Sequence, residues 1–165
     1  MGNKRMILYA TLLTIASVGQ IILTFLLYDP EGNTTLINIG WGVLMLSAIF
    51  GWLPIFTFRS KGKVKGWGYI HTTVLVDSGI YGIVRHPQYL AGILISIALP
   101  MITHHWLVVV LGLIAAVINY RDTFNEEEGC IEKFGEAYRQ YMERVPRLNF
   151  IAGIVRALRH RRKQV

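Results

Sequence analysis

Three long stretches of the chain carry no charge at all: Met6 to Tyr28, Leu36 to Phe58, and Pro87 to Tyr120. The first two are each the length of one helix crossing a bilayer. The third runs for 34 residues, and as one helix it would reach roughly 50 Å against a hydrocarbon core of about 30 Å. It therefore predicts two antiparallel helices with a tight turn near Pro100 to His105, where His104-His105-Trp106 breaks the apolar run. The pattern gives an all-α integral membrane fold of about four transmembrane helices, over 6–28, 36–58, 87–103 and 105–121, the last two forming a tight helical hairpin. A cytoplasmic loop over 59–86 and a cytoplasmic C-terminal segment over 122–165 complete a single membrane domain, 1–165.

Beyond Tyr120 the pattern changes. Ile131, Phe134, Tyr138 and Tyr141 follow one another at spacings of three, four and three, one apolar stripe on an otherwise charged, amphipathic helix that lies on the membrane or on the bundle. Asn125 with Glu128 three residues on fits a capping box starting that helix, and a helix running straight on from the fourth span fits equally well. From Phe150 onward apolar residues alternate with Arg156, Arg159, Arg161, Arg162 and Lys163, the pattern of an interfacial basic tail that meets anionic lipid. Within the spans, Ser47/Gly51, Gly92/Ser96 and Gly112/Ala116 have the four-residue spacing that lets helix backbones approach in lipid.

Composition agrees with lipid as the solvent: 53% of the 165 residues are apolar and 16% are charged. The net charge of +7 would suggest nucleic acid for a soluble protein, but beside apolar spans basic residues set topology, and no nucleic-acid partner is expected. The loop holding Asp29 and Glu31 has no Lys or Arg, whereas the next carries Arg59, Lys61, Lys63, Lys65 and Arg85. The positive-inside rule makes that second loop and both termini cytoplasmic, facing the cell interior from the cell membrane of a prokaryote or the endoplasmic reticulum of a eukaryote. The first apolar stretch is too long for a signal core and lacks a small-residue cleavage site, so it reads as a retained span. The single Cys130 excludes an internal disulfide and any site of several thiolates, and no metal site is expected.

A hairpin of the last two spans has a chemical consequence. Arg85-His86-Pro87, where it begins, and Arg121 to Glu128, where it ends, are brought side by side. Arg, His and Tyr89 then face Glu126-Glu127-Glu128 at the lipid boundary, where partial desolvation strengthens electrostatic contacts and suits a zwitterionic ligand. Each half also has a purely structural explanation: Arg85 as an interface anchor, Pro87 as a helix initiator, and the glutamates as a solvated helix start.

The run from Val76 to Gly92, with Gly79-Ile80-Tyr81 and Arg85-His86-Pro87-Gln88-Tyr89 inside it, resembles the first signature of the isoprenylcysteine carboxyl methyltransferase and phospholipid methyltransferase superfamily. Glu126-Glu127, Phe134-Gly135-Glu136-Ala137-Tyr138 and Tyr141 through Val145-Pro146-Arg147 resemble the second. The resemblance implies S-adenosylmethionine as methyl donor, with S-adenosylhomocysteine as product, in a pocket that uses no Rossmann domain. It implies cofactor binding by Tyr81, Arg85, His86, Pro87, Tyr89, Glu126 and Glu127. Glutamate would match the donor's ammonium and Arg or His its carboxylate, with Tyr81 and Tyr89 against the sulfonium. His86 and Glu127 are the expected catalytic groups, as base for an amine or thiol acceptor, and Arg121 would orient an anionic one.

The acceptor is expected to be amphipathic: a prenylated cysteine carboxylate, a phospholipid amine, or a small hydrophobic thiol or amine. The chain departs from the family pattern at Ile80, at Gly129-Cys130 and around Asn149, and Gly66-Trp67-Gly68 is only a faint counterpart of a phospholipid-enzyme element. These departures keep a non-catalytic scaffold or lipid-binding protein as the alternative. Proton-coupled transport would need a carboxylate inside a span, and none is present there. A haem or quinone site would need paired histidines at one depth, whereas His71 and His86 fall at the opposite side from His104 and His105.

Overall fold

The structure, a computed structural model, describes residues 3–61 and 74–162. Lys63, Lys65, Gly66, Trp67, Gly68, His71 and Lys163 lie outside the described residues. Helix α1 is Asn3–Leu26, α2 Thr34–Lys61, α3 Pro87–Thr103, α4 Trp106–Phe134, α5 Glu136–Arg144 and α6 Phe150–Arg162, with a short 3-10 turn at Gly79–Gly82; no strand occurs among the described residues. Three helices are long and apolar enough to cross a membrane, over Lys4–Leu26, Thr34–Ser60 and Trp106–Phe134, while the apolar α3 is shorter at 17 residues. The chain is an integral membrane protein.

The helix boundaries have local causes. Asn33 caps α2, its Oδ1 accepting from the Leu36 N–H at 3.0 Å, and Asn149 does the same for α6 through Ala152 at 3.0 Å. Pro87 opens α3, where a missing N–H is harmless. The α3–α4 turn falls at His104-His105, with His104 in the left-handed region at φ 56°. Helix α4 takes the straight-on alternative: it passes through Asn125 and Glu128 without a break and stops before Gly135, whose φ of +57° is the left-handed conformation favoured by glycine.

The chain divides into two compact units, Met1–Ile49 with Tyr89–Asp122, and Phe50–Gln88 with Thr123–Val165. In the first, Thr11 and Thr14 satisfy their hydroxyls within their own helix, donating to the carbonyls of Ile7 and Ala10. Gln20 is buried and its Nε2 donates to the carbonyls of Ser96 (3.1 Å) and Val108 (3.2 Å). That approach depends on Gly112, where an added Cβ would overlap the Ser96 carbonyl and the Gln20 amide. Gly92 likewise faces the Asn119 side chain, and Ser47 donates to the Ala91 carbonyl at 2.9 Å. Large apolar side chains such as Met6, Phe25 and Leu113 point outward and exposed, as lipid-facing residues do.

In the second unit the expected stripe turns toward protein. Tyr138, Tyr141 and Val145 form a buried cluster, with Ile131 and Phe134 packed against it. The stripe spans the last turn of α4 and all of α5 rather than one helix, because Gly135 breaks it.

Candidate functional site

The second unit is organised around one carboxylate. Glu127, 3% exposed, projects from α4 and accepts at Oε1 from Arg85 Nε (3.0 Å) and Nη2 (2.8 Å), from His86 Nε2 (3.1 Å) and from Arg147 Nε (3.1 Å). Arg147 Nη2 reaches Oε2 at 2.5 Å. Two guanidiniums against one buried carboxylate leave local positive charge in excess, and the array satisfies the desolvated Glu127 from several sides.

Arg85 has a second job. Its Nη1 donates to the carbonyls of Met142 and Val145, each at 2.6 Å, closing the C-terminal end of α5 where helix carbonyls have no partner of their own. The backbone joins in: the Arg85 N–H donates to the Pro146 carbonyl (3.0 Å) and the His86 N–H to the Arg147 carbonyl (3.2 Å). The Tyr141 hydroxyl donates to the Tyr81 carbonyl at 2.7 Å, and the Arg147 guanidinium stacks 3.7 Å over the Phe124 ring. The segment before α3 and the segment after α5 are thereby locked together.

Beside this lock lies a cavity of about 510 Å³, lined among others by Phe58, Tyr81, His86, Glu126, Lys133 and Tyr138. Glu126 reaches it with a half-exposed carboxylate, whereas Glu127 is not among its lining residues. His86 stands between the two glutamates, Nε2 on Glu127 and Nδ1 3.9 Å from Glu126 Oε2. Burial pushes the His86 imidazole below its ordinary value of 6.5, although both glutamates pull the other way. A neutral ring beside an ionised carboxylate carries its proton on Nε2, with Nδ1 turned to the Glu126 side. Burial also raises the Tyr81, Tyr138 and Tyr141 phenols, so all three remain hydroxyl donors.

The sequence-derived candidates thus separate. Arg85, His86 and Glu127 are in mutual contact, and Tyr81, Arg85, His86 and Glu126 line the cavity. Pro87 is buried at the first position of α3. Tyr89 and Arg121 belong to the first unit, where Arg121 Nη1 donates to the Tyr9 hydroxyl at 2.8 Å and the guanidinium lies 4.6 Å from that ring's centre. Arg147 and Tyr138 entered the sequence reading only as parts of the second signature and, for Tyr138, of the apolar stripe, without a site role; Phe58 and Lys133 were not singled out. Among the described residues no group of three or more His, Cys, Asp or Glu is arranged to hold a metal.

Fold and site together define a membrane protein, all-helical among the described residues, with a charged lock and a cavity built from the segments on either side of its α3–α4 hairpin. Residues 37–137 match the phospholipid methyltransferase family, and the chain belongs to that family. It is 26% identical over 163 residues to a Delta(14)-sterol reductase of Mus musculus, covering 88% of this chain and 38% of that protein. It is 29% identical over 136 residues to a Delta(14)-sterol reductase of Dictyostelium discoideum (72% and 29% covered). A methanethiol S-methyltransferase of Pseudomonas deceptionensis is 30% identical over 117 residues (68% and 42%). The chain thus spans between about three-tenths and four-tenths of the length of these relatives. No solved structure matches it.

Proposed function

We propose that the chain is an S-adenosylmethionine-dependent methyltransferase of four crossings that takes its donor from the cytoplasm and an amphipathic or lipid-like acceptor from the bilayer. The observation that carries this reading is the cavity that Glu126, His86 and a wall of aromatic rings share. Its volume of about 510 Å³ lies within the range of small-molecule sites. Membership of the phospholipid methyltransferase family and the likeness to a methanethiol S-methyltransferase support the same reaction class.

The lining residues fit such a donor by their chemistry. Glu126 is the carboxylate for an ammonium, Lys133 the cation for a carboxylate, and Phe58, Tyr81 and Tyr138 offer faces for a sulfonium and a purine. When bound, S-adenosylmethionine supplies an electrophilic methyl group on sulfur. The chain's own work is to hold donor and acceptor in line and keep water out. The charged lock does this by fixing His86 and the start of α3. For an acceptor that must lose a proton, His86 or the Glu126 carboxylate is the base; a carboxylate acceptor needs none. Glu127, held by two arginines and a histidine, positions these groups rather than facing the ligand.

Two relatives are sterol reductases, and this favours one second reading, reduction of a lipid double bond by a hydride donor in the same cavity. Calorimetric titration of S-adenosylhomocysteine into detergent-purified protein separates the two. Binding that Glu126→Gln weakens about tenfold or more, as loss of a charge-assisted contact would, supports methyl transfer. It would justify trials of radiolabelled transfer onto prenylcysteine, phosphatidylethanolamine and methanethiol. A folded sample that ignores S-adenosylhomocysteine and binds a reduced nicotinamide dinucleotide would sink the methyltransferase reading.

A further inference from the structure

The C-terminal helix presents its apolar face away from the protein. At 100° per residue, Ile151, Ile154, Val155 and Leu158 fall within an arc of about 100° on α6, and they are 64%, 42%, 42% and 57% exposed. Gly153, on the other side, is the contact with protein: an added Cβ there would overlap the Ile83 carbonyl oxygen. Phe150 anchors the first turn against Phe50, ring centres 5.2 Å apart, and Arg156 Nη1 approaches the Arg144 carbonyl at 3.3 Å. In a soluble amphipathic helix the apolar arc would be the packed face; here a glycine and one ring are packed and the arc is left outside.

We propose that α6 docks on an anionic membrane surface, with Ile151, Ile154, Val155 and Leu158 in the acyl boundary and Arg159 at the headgroups. Charge selects this occupant. After Glu143 the chain has seven basic residues and no acidic one, and among the described residues Arg159 flanks the arc, about 40° round the helix from Val155. A second copy would bring like charges together, whereas acidic headgroups are complementary. In an integral membrane protein such a surface is always within reach, and a helix with an apolar face and an arginine-rich flank is the form that lies in the interface. The docking has its own consequence for the site: α6 rests on Ile83, two residues before Arg85, so lipid that holds α6 also holds that segment. The proposal does not depend on the reaction catalysed.

Spin labels on the full-length protein test it, in a Cys130→Ala background reconstituted into nanodiscs of phosphatidylcholine with or without phosphatidylglycerol. Labels at Ile151→Cys, Val155→Cys and Leu158→Cys are expected to collide mainly with oxygen, and labels at Ala152→Cys and Arg159→Cys mainly with a water-soluble nickel chelate. The oxygen preference should weaken without phosphatidylglycerol and in Arg159→Gln, each arginine near an anionic surface favouring association about fivefold. Equal collision profiles at 155 and 159 overturn the proposal. So does protection of 155 from both reagents, which would mean that a protein surface or a second copy covers the arc. Insensitivity to phosphatidylglycerol overturns the selection of anionic lipid.

Discussion

Arg147 grips Glu127 with two nitrogens, Nε on one carboxylate oxygen at 3.1 Å and Nη2 on the other at 2.5 Å, across 20 residues of chain and the Gly135 break. The pair does more than neutralise charge, because Glu127 also holds Arg85, and Arg85 closes α5. Removing the carboxylate leaves two guanidiniums without their shared partner. Glu127→Ala is therefore expected to cost about 3–5 kcal/mol, the range for breaking a buried ion pair from one side. Arg147→Lys keeps the charge and loses the fork and the stacking on Phe124, so it should cost less, on the order of 1–2 kcal/mol. Unfolding in detergent monitored by circular dichroism checks both; equal losses would mean that Glu127 is no hub.

Protonation of His86 gives the fold a pH dependence of known sign. Its folded-state value lies below the ordinary 6.5 because burial disfavours the imidazolium. Below about 6.5 the unfolded chain therefore binds a proton that the folded chain does not, and stability falls as pH drops from there toward the lowered value. Above 6.5 the contribution is complete and flat. His86→Gln, which cannot titrate, should flatten the melting temperature between pH 7 and pH 5, a window that brackets the ordinary value. An unchanged slope in that variant would assign the dependence to other groups.

The apolar helices were legible because an uncharged run of the right length becomes a helix, and a run of 34 residues must turn back, as it does at His104-His105; three of these helices are long and apolar enough to cross a membrane, and α3 is shorter. The course of α4 was less legible. Glu126-Glu127-Glu128 after Asn125 looks like a fresh start, but nothing from Arg121 to Cys130 forces a break, so the ladder continues until Gly135. Nor could sequence tell Glu126 from Glu127. Adjacent helical residues point about 100° apart, and which of them turns inward depends on where Arg85 and Arg147 arrive. Arg147 itself follows two helix boundaries and becomes a partner only once α5 has folded back, a relation that no local pattern encodes.

Close approach of α6 to Ile83 offers a way to loosen the site without touching its charges. Gly153→Ala places a methyl group on the Ile83 carbonyl, and backbone cannot swing aside as a long side chain can. Overpacking of this kind costs about 1–3 kcal/mol. Its effect should appear first as faster amide exchange in 83–86 and 150–158, with α1 unchanged. Uniform exchange rates across wild type and variant would show that the contact is easily relaxed.

Inside the first unit two changes at one spot separate steric fit from hydrogen bonding. Gln20→Leu removes the amide that donates to Ser96 and Val108, but both carbonyls sit in helices, and side-chain hydrogen bonds within lipid average only about 0.6 kcal/mol. Gly112→Ala instead inserts a methyl group where the Ser96 carbonyl and the Gln20 amide already lie, so α3 and α4 must part. The cost there is lost packing along the helix pair, about 1–3 kcal/mol. Gly112→Ala is thus expected to be the more damaging by a clear margin in denaturation with sodium dodecyl sulfate from mixed micelles. The double variant should recover part of the loss only if the leucine side chain that replaces Gln20 gives way where the amide could not; strict additivity would place the whole penalty on the Ser96 backbone.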